Sequence, residues 1–314
     1  MSLISKKNNV YFCRTMDFSY DLNPEVYFIP KNYTWISYTN DEIVNKYKFL
    51  ATGQNIGKLA FADGMNEIGL SIAALYFQEY AHYDEVSDKE SSIAAIDVVN
   101  YILGNCANIE EAIYEFNKIN IIGIEDEVTN SIAPLHWIIS YKDGQCITVE
   151  KTLNGLSISD NMVGILANSP NFEWQIVNLN NYLNLSNKQE ETSKLGNLTI
   201  KPFGQGSGSI GLPGDYTSPS RFVRLTYGKE FTIIPDNNKD IVNTCFNIMK
   251  SVFIPKGVVL TKRETFDYTQ YTVVMNINDG EYYFNTYNNN QIIKVNINDI
   301  ISSDVLSIIK LNYK

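Results

Sequence analysis

Histidine is nearly absent: His82 and His136 are the only two in 314 residues. That excludes a histidine-rich metal centre. Cysteine is scarce too. Cys13, Cys106, Cys146 and Cys245 lie far apart with no CxxC spacing, which argues against a disulfide framework or zinc site and for buried reduced thiols. No run reaches the roughly 20 consecutive apolar residues that span a bilayer. The opening residues Met1 to Asn9 lack the apolar stretch of a signal peptide. These absences predict a cytoplasmic protein with no membrane partner. Cations are few and scattered: 25 Lys and Arg stand against 35 Asp and Glu, for a net charge of −10. Nucleic acid is therefore not an expected partner, since phosphate binding needs clustered Lys and Arg.

What is present is apolar material for a sizeable core, with 44% hydrophobic and 12% aromatic residues. Alternating or β-rich runs predict strands at 25–30, 46–51, 68–77, 132–141, 145–151, 162–167, 269–277, 281–287 and 291–297. Between them, Ile96, Val99 and Leu103 mark a helix over 92–103, with Gly104 as its stop. It is apolar nearly all round, which suits a layer against a sheet. A second helix over 109–117 has Asn108 as N-cap, and two more are expected over 172–182 and 239–252. Strands, then helices, then strands again predict an α+β fold, with no internal repeat and one domain over 1–314. Residues 184–199 are polar enough for a surface excursion.

Two motifs are decoys. Gly206 to Gly211 matches GxGxxG, but Pro213 follows at once and blocks the helix a dinucleotide fold needs, so a close turn beside a substrate cleft is expected instead. A Cys–His–Asn arrangement using Cys106 or Cys146 with His136 is possible, yet His136 at an apolar strand start reads as a structural imidazole. The stretch Arg14-Thr15-Met16-Asp17 is more informative. It ends the apolar strand Val10–Cys13 and holds a cation and a carboxylate three residues apart. Side chains alternate along a strand, so for both to face one site the strand must bulge or end near Thr15-Met16.

The segments RTMDFS (14–19), FADGMNEIGL (61–70), Ala74 to Phe77, Pro134-Leu135-His136-Trp137, LANSPNFEW (166–174), PFGQGSGSIGLPGDYTSPSRF (202–222), IPKGVVLT (254–261) and DYTQYT (267–272) together resemble the choloylglycine hydrolase family over almost the whole chain. That family includes penicillin V acylases and bile-salt hydrolases, and the late segments resemble the penicillin V acylase branch. The resemblance implies an N-terminal-nucleophile hydrolase with a four-layer αββα sandwich, cleaving a linear, non-peptide amide with a bulky apolar acyl group. In such an enzyme the first residue attacks the amide while its own α-amino group takes the proton. That amine titrates near 8 and needs no histidine. By resemblance Arg14 would lie beside the nucleophile and favour its thiolate. Asp17 would hydrogen-bond the α-amino group. Asn168 and the Tyr76 N–H would hold the oxyanion, and Arg221 would tie the site together. Tyr20, Phe77 and Trp137 are candidates for packing the acyl chain. Tyr76 favours phenoxyacyl amides of the penicillin V kind, because bile-salt hydrolases often carry asparagine there. Conjugated bile salts are the alternative substrate, and N-acyl homoserine lactones a further one. The family pattern needs no metal or organic cofactor, takes a small-molecule amide, and implies a homotetramer.

One departure stands out. Family members begin their mature chain with cysteine, and no cysteine precedes Cys13, which adjoins Arg14 and reads as core. Ser2, freed by loss of Met1, is chemically able to serve but lies several residues nearer Arg14 than the family nucleophile. It would reach only if the Lys6–Asn9 turn absorbed the difference. Three readings stand: a start lost or replaced by a foreign leader, a serine nucleophile, or an inactive relative that binds without turnover.

Overall fold

The computed structural model describes residues 1–6, 9–85, 91–126, 129–300 and 306–309. Two antiparallel sheets carry the architecture. The first has five strands in the order Ser2–Lys6, Asn9–Phe18, Tyr268–Asn276, Glu281–Thr286 and Asn289–Asn296. The second has eight: Gly155–Asp160, Cys146–Thr152, Leu135–Tyr141, Leu70–Tyr76, Lys58–Asn66, Phe49–Ile56, Glu25–Ile29 and Ser307–Ile309.

Alternation along these strands assigns each side chain to one of two cores. Val26, Phe28, Leu50, Met65, Ala73 and Leu75 share a core with Phe12, Tyr271, Tyr282 and Phe284 of the five-stranded sheet. Their neighbours Tyr27, Phe49, Ala51, Ile72, Ala74 and Trp137 share the other with helices α1 (Val98–Asn105) and α2 (Ile109–Lys118). Helix α3 spans Phe172–Asn178. Helices α4 (Ser218–Phe231) and α5 (Asn238–Lys250) bury Phe222, Leu225, Ile241, Phe246 and Met249 in the core of the five-stranded sheet.

Asn108 caps α2 as expected, its Oδ1 accepting from Glu111 N, and α5 has a cap that was not expected, Asn237, whose Oδ1 accepts from Asp240 N. Elsewhere tertiary pairing overrides the local pattern. The helix expected over 92–103 begins instead as a strand, Ser92–Ala94, paired in parallel with Asn120–Ile122, and a 3₁₀ turn over Ala95–Asp97 leads into α1. The strand expected over 46–51 is Phe49–Ile56, and its partner Lys58–Asn66 follows without having been expected. No strand forms over 162–167. Asn161 Oδ1 accepts from Gly164 N and its amide donates to Ile165 O, closing a turn that leaves one bridge, Ser2 with Ile165. Helix α4 was not expected either. Its Ser218-Pro219 start is a good N-terminal signal, but Arg221, Arg224 and Gly228 break up its apolar face. The GxGxxG segment forms a 3₁₀ turn with Gly208 buried and Gly206 N donating to Gln189 Oε1, so it packs on the 184–199 excursion rather than beside a cleft. That excursion holds a small hairpin, Ser193–Leu195 with Leu198–Ile200.

Gly64 lets α1 approach the eight-stranded sheet: a Cβ there would lie 2.5 Å from Leu50 O and 2.6 Å from Leu103 Cδ1. Gly64→Ala is expected to lower stability by about 1–3 kcal/mol, read as a lower urea midpoint with unchanged slope.

Candidate active site at the chain start

The site opens where two strands of the larger sheet part. Lys58–Asn66 and Leu70–Tyr76 pair through Met65↔Ser71, Gly64↔Ile72 and Asp63↔Ala73, and there the ladder stops. Ala62 is an extra residue against Phe49–Ile56, because the register shifts between Thr52 and Gly53. In a continued ladder Ala62 and Ala74 would bond each other. Arg14 takes that place: Nη1 donates to Ala62 O at 2.6 Å and Nη2 to Ala74 O at 2.9 Å. The same guanidinium meets Asp63 Oδ2 at 3.1 Å, and both side chains are buried. Asp63 also accepts from Tyr271 OH at 2.7 Å and from Tyr282 OH. Burial, then the Asp63 charge, pushes both phenols well above their usual range, so they stay donors.

Past the wedge, the edge of Leu70–Tyr76 is free. Phe77 N donates to Pro134 O, so odd-numbered residues face the Leu135–Tyr141 strand and Tyr76 faces the opened edge. Asn168 Nδ2 donates to Tyr76 O at 2.8 Å. Arg221, on the first turn of α4, donates from Nη2 to Asn168 Oδ1 at 2.6 Å and from Nη1 to Asp17 Oδ2 at 3.2 Å. A guanidinium can only donate, so this contact fixes which end of the Asn168 amide is oxygen. The second N–H of Nδ2 is then left for a ligand. Asp17 Oδ1 accepts from Thr269 Oγ1. Behind this loop His136 Nδ1 meets Glu150 Oε1 at 3.1 Å, and its ring stacks on Phe77 at 4.2 Å. Burial lowers its pKa, as befits a structural imidazole.

The chain start enters the same place. The α-amino group of Met1 donates to Leu166 O at 3.0 Å, and Met1, Arg14, Asp17, Tyr76, Asn168 and Arg221 all line one cavity of about 160 Å³. The residues selected from the sequence are therefore brought together, with several changes of detail. The hydrogen bond found for the amine runs to Leu166 O, while Asp17 is engaged by Thr269 and Arg221. Arg14 is charge-compensated by Asp63, a partner that sequence reading missed although it lies within FADGMNEIGL. The expected irregularity near Thr15-Met16 is found instead on the partner strand, where Gln270 is an extra residue between Thr269 and Tyr271, opposite Asp17 and Met16. Ser2 is fully buried beside Cys13 and Ile165 and does not line the cavity; among the described residues its hydroxyl has no partner. Tyr20 does line it, whereas Phe77 and Trp137 are fully buried core. Phe18, edge-on to Tyr76 at 5.4 Å, joins the apolar wall. All four cysteines are free and buried. Among the described residues no group of three or more His, Cys, Asp or Glu could hold a metal ion, and no helix is long and apolar enough to cross a membrane.

Burial, aided by Arg14 and Arg221, pushes the Met1 amine down from 8.0 to about 5, so at neutral pH it is a free base. Its folded value lies below its unfolded one. The neutral form therefore favours the fold, and that stabilisation is complete above pH 8.0 and lost as pH falls through about 5. A ¹⁵N titration of the residue 1 amine should give a midpoint near 5; a midpoint at its ordinary value would place the amine in water.

The model of the linear amide C–N hydrolases, choloylglycine hydrolase family, matches residues 1–305. A bile salt hydrolase/transferase of Clostridium perfringens is 37% identical over 95% of this chain and 92% of its own length. Another, of Lactiplantibacillus plantarum, is 32% identical over 92% and 90%. The crystal structure of a mutant conjugated bile acid hydrolase from Clostridium perfringens matches with a TM-score of 0.91 at 35% identity, over 99% of this chain and 96% of that one. Penicillin V acylase from Agrobacterium tumefaciens shares the fold, with a TM-score of 0.76 at 21% identity over 95% and 86%. A free amine, an oriented amide and a compensated guanidinium thus meet at the start of a chain that belongs to the choloylglycine hydrolase family, hydrolases of linear amide C–N bonds.

Proposed function

We propose that this cavity hydrolyses a linear, non-peptide amide whose acyl part is apolar and compact enough for the site, of the phenoxyacetyl kind found in penicillin V. The observation that carries the reading is the convergence of the residue 1 amine, Asn168, the Tyr76 edge and Arg221 on a single cavity of about 160 Å³ walled by Met16, Phe18, Tyr20 and Tyr76. The amide carbonyl oxygen would lie between the second N–H of Asn168 Nδ2 and the Tyr76 N–H, where charge develops on attack. The neutral amine would take the proton of the attacking group and return it to the leaving nitrogen. Arg221 and Asp17 hold Asn168 in position and are not consumed. Arg14 holds the sheet open and lowers the pKa of the amine.

The attacking group belongs at position 1, where this sequence has methionine. A thioether has no proton to lose and forms no anion, so Met1 itself cannot play the part. Conjugated bile acids are the second reading, favoured by the relatives at 37% and 32% identity that are named bile salt hydrolase/transferase. Placing cysteine at position 1 (Met1→Cys, encoded behind an initiator methionine that is then removed) should raise hydrolysis of penicillin V by on the order of 10³ or more over the Met1 form. Faster turnover of glycine- or taurine-conjugated bile salts would instead favour the second reading. No turnover of any of these by a folded Met1→Cys chain would sink both, leaving a protein that binds without cleaving.

Residues 1–314 are read as one domain, and the layers described above as the αββα sandwich of N-terminal-nucleophile hydrolases. The free, buried cysteines support a cytoplasmic location. The protein is read as a homotetramer, for which the apolar side chains of the excursion and of Phe203 just beyond it support a contact: Leu195, Leu198 and Phe203 are all exposed. Leu198→Glu with Phe203→Ser should reduce the mass measured by light scattering while leaving the far-UV spectrum intact. An unchanged mass would remove the excursion from the interface.

A further inference from the structure

Gln270 is the extra residue of the bulge opposite Asp17 and Met16, and its side chain is buried. A bulged residue leaves the ladder and can aim its side chain elsewhere. Here it is aimed at the loop that follows Phe18. Its Oε1 accepts from Leu22 N at 2.9 Å, and its Nε2 donates to Phe18 O at 3.0 Å and to Tyr20 O. Among the described residues, no main-chain to main-chain hydrogen bond holds residues 19–24. The loop is otherwise touched by Arg263, which stacks on Tyr20 at 5.0 Å and donates to Ser19 Oγ at 3.2 Å. Gln270 is therefore its main fastening.

The loop is also a partition. On one side Tyr20, Asp21, Leu22 and Pro24 wall the catalytic cavity of about 160 Å³. On the other, Asp21, Asn23 and Pro24 wall a second cleft of about 650 Å³, with Gln270 and Tyr287 among its other residues. Asp21 and Pro24 face both. A wall with open space behind it and one buried side chain fastening it can retreat when that fastening goes. Pockets for drug-sized ligands run to about 300–1,000 Å³, so the catalytic cavity as fastened is small and the second cleft is the room available for enlarging it.

We propose that Gln270 sets the size of acyl group the site accepts, by pinning the 19–24 loop between the two cavities. It is a positioning residue that acts on substrate through the loop. This rests on the reading of the first cavity as the acyl pocket. Pinned, the wall fits a compact aromatic acyl; released, it moves into the second cleft and admits a polycyclic one.

The test uses the full chain and two acids as probes, phenoxyacetate and cholate, in calorimetry, with amide hydrogen exchange at Leu22 as a readout independent of any ligand. Gln270→Met keeps the side-chain length and loses all three hydrogen bonds. It should speed Leu22 exchange about tenfold or more and shift the phenoxyacetate-to-cholate affinity ratio towards cholate by about tenfold. Gln270→Glu keeps the acceptor for Leu22 N but sets a second carboxylate oxygen against Phe18 O and Tyr20 O, so it should also release the loop and shift the ratio the same way. Equal weakening of both acids, or faster Leu22 exchange with an unchanged ratio, would overturn the inference. Native protein that binds neither acid would instead overturn the acyl-pocket reading, and this inference with it.

Discussion

The buried contact between Arg14 and Asp63 is what the rest of the site depends on. It substitutes for one rung of a β-ladder, and so turns the edge of a paired strand into a wall with unused hydrogen-bonding groups. Burying a guanidinium without a carboxylate is expensive, and losing one partner of a buried pair costs about 3–5 kcal/mol. Asp63 supplies the charge, and the phenols of Tyr271 and Tyr282 satisfy its remaining capacity. Tyr282 in turn meets Thr52 Oγ1, beside the register shift that displaces Ala62. Gly53 belongs to the same device, since a Cβ there would lie 2.1 Å from Ala60 O. The sheet is thus opened by a set of mutually bonded groups, with only Arg14 Nε among their side-chain donors lacking a partner among the described residues.

The electrostatics follow from that opening. Arg14, balanced by Asp63, contributes less net charge than an unpaired cation at the same distance would. Arg221 is balanced in the same way by Asp17. Even so, both cations lower the pKa of the residue 1 amine, after burial itself. Two compensated pairs in a poorly solvated cleft keep that amine neutral while avoiding a strongly positive cavity that would demand an anion in every resting state. Asp17 and Asn168 share the Arg221 guanidinium, so the carboxylate, the cation and the amide turn as one unit.

Much of this was legible locally and some was not. The strands at Glu25–Ile29, Leu135–Tyr141 and Cys146–Thr152 follow from β-rich apolar runs, which the fold buries almost continuously on both faces, and α2 follows from its asparagine cap. What escaped depends on distant chain. The 92–94 segment becomes a strand because Asn120–Ile122 is there to pair with it. The bulge opposite Asp17 and Met16 sits at Gln270, far along the sequence on the neighbouring strand, so inspecting Thr15-Met16 could not locate it. Asp63 reads in sequence as a polar break in an apolar run, and only the approach of Arg14 and two tyrosines reveals its part. The convergence of Arg14, Asp17, Tyr76, Asn168 and Arg221 came from resemblance, because spacings of tens to hundreds of residues carry no geometric information by themselves.

Which residue meets the site is decided by the register of the first hairpin. Ser2 pairs with Cys13, Leu3 with Phe12 and Ile4 with Tyr11, ending at Lys6 with Asn9, and this alignment carries position 1 to the cavity. Bringing Ser2 there requires a slip of one residue, which sends every side chain of the strand to its neighbour's place. Leu3 would then enter the tight position now filled by Ser2, and Ser5, exposed now, would replace Ile4 in the core. Putting a serine where an isoleucine now packs leaves a cavity and costs about 2–5 kcal/mol, before the overpacking at the Ser2 position is counted and with the Leu3 N to Gly164 O bond also displaced. Nothing in the site offsets that loss, since Met1 already delivers its amine to Leu166 O. The same packing therefore brings the amine of residue 1, and not the side chain of Ser2, to the cavity.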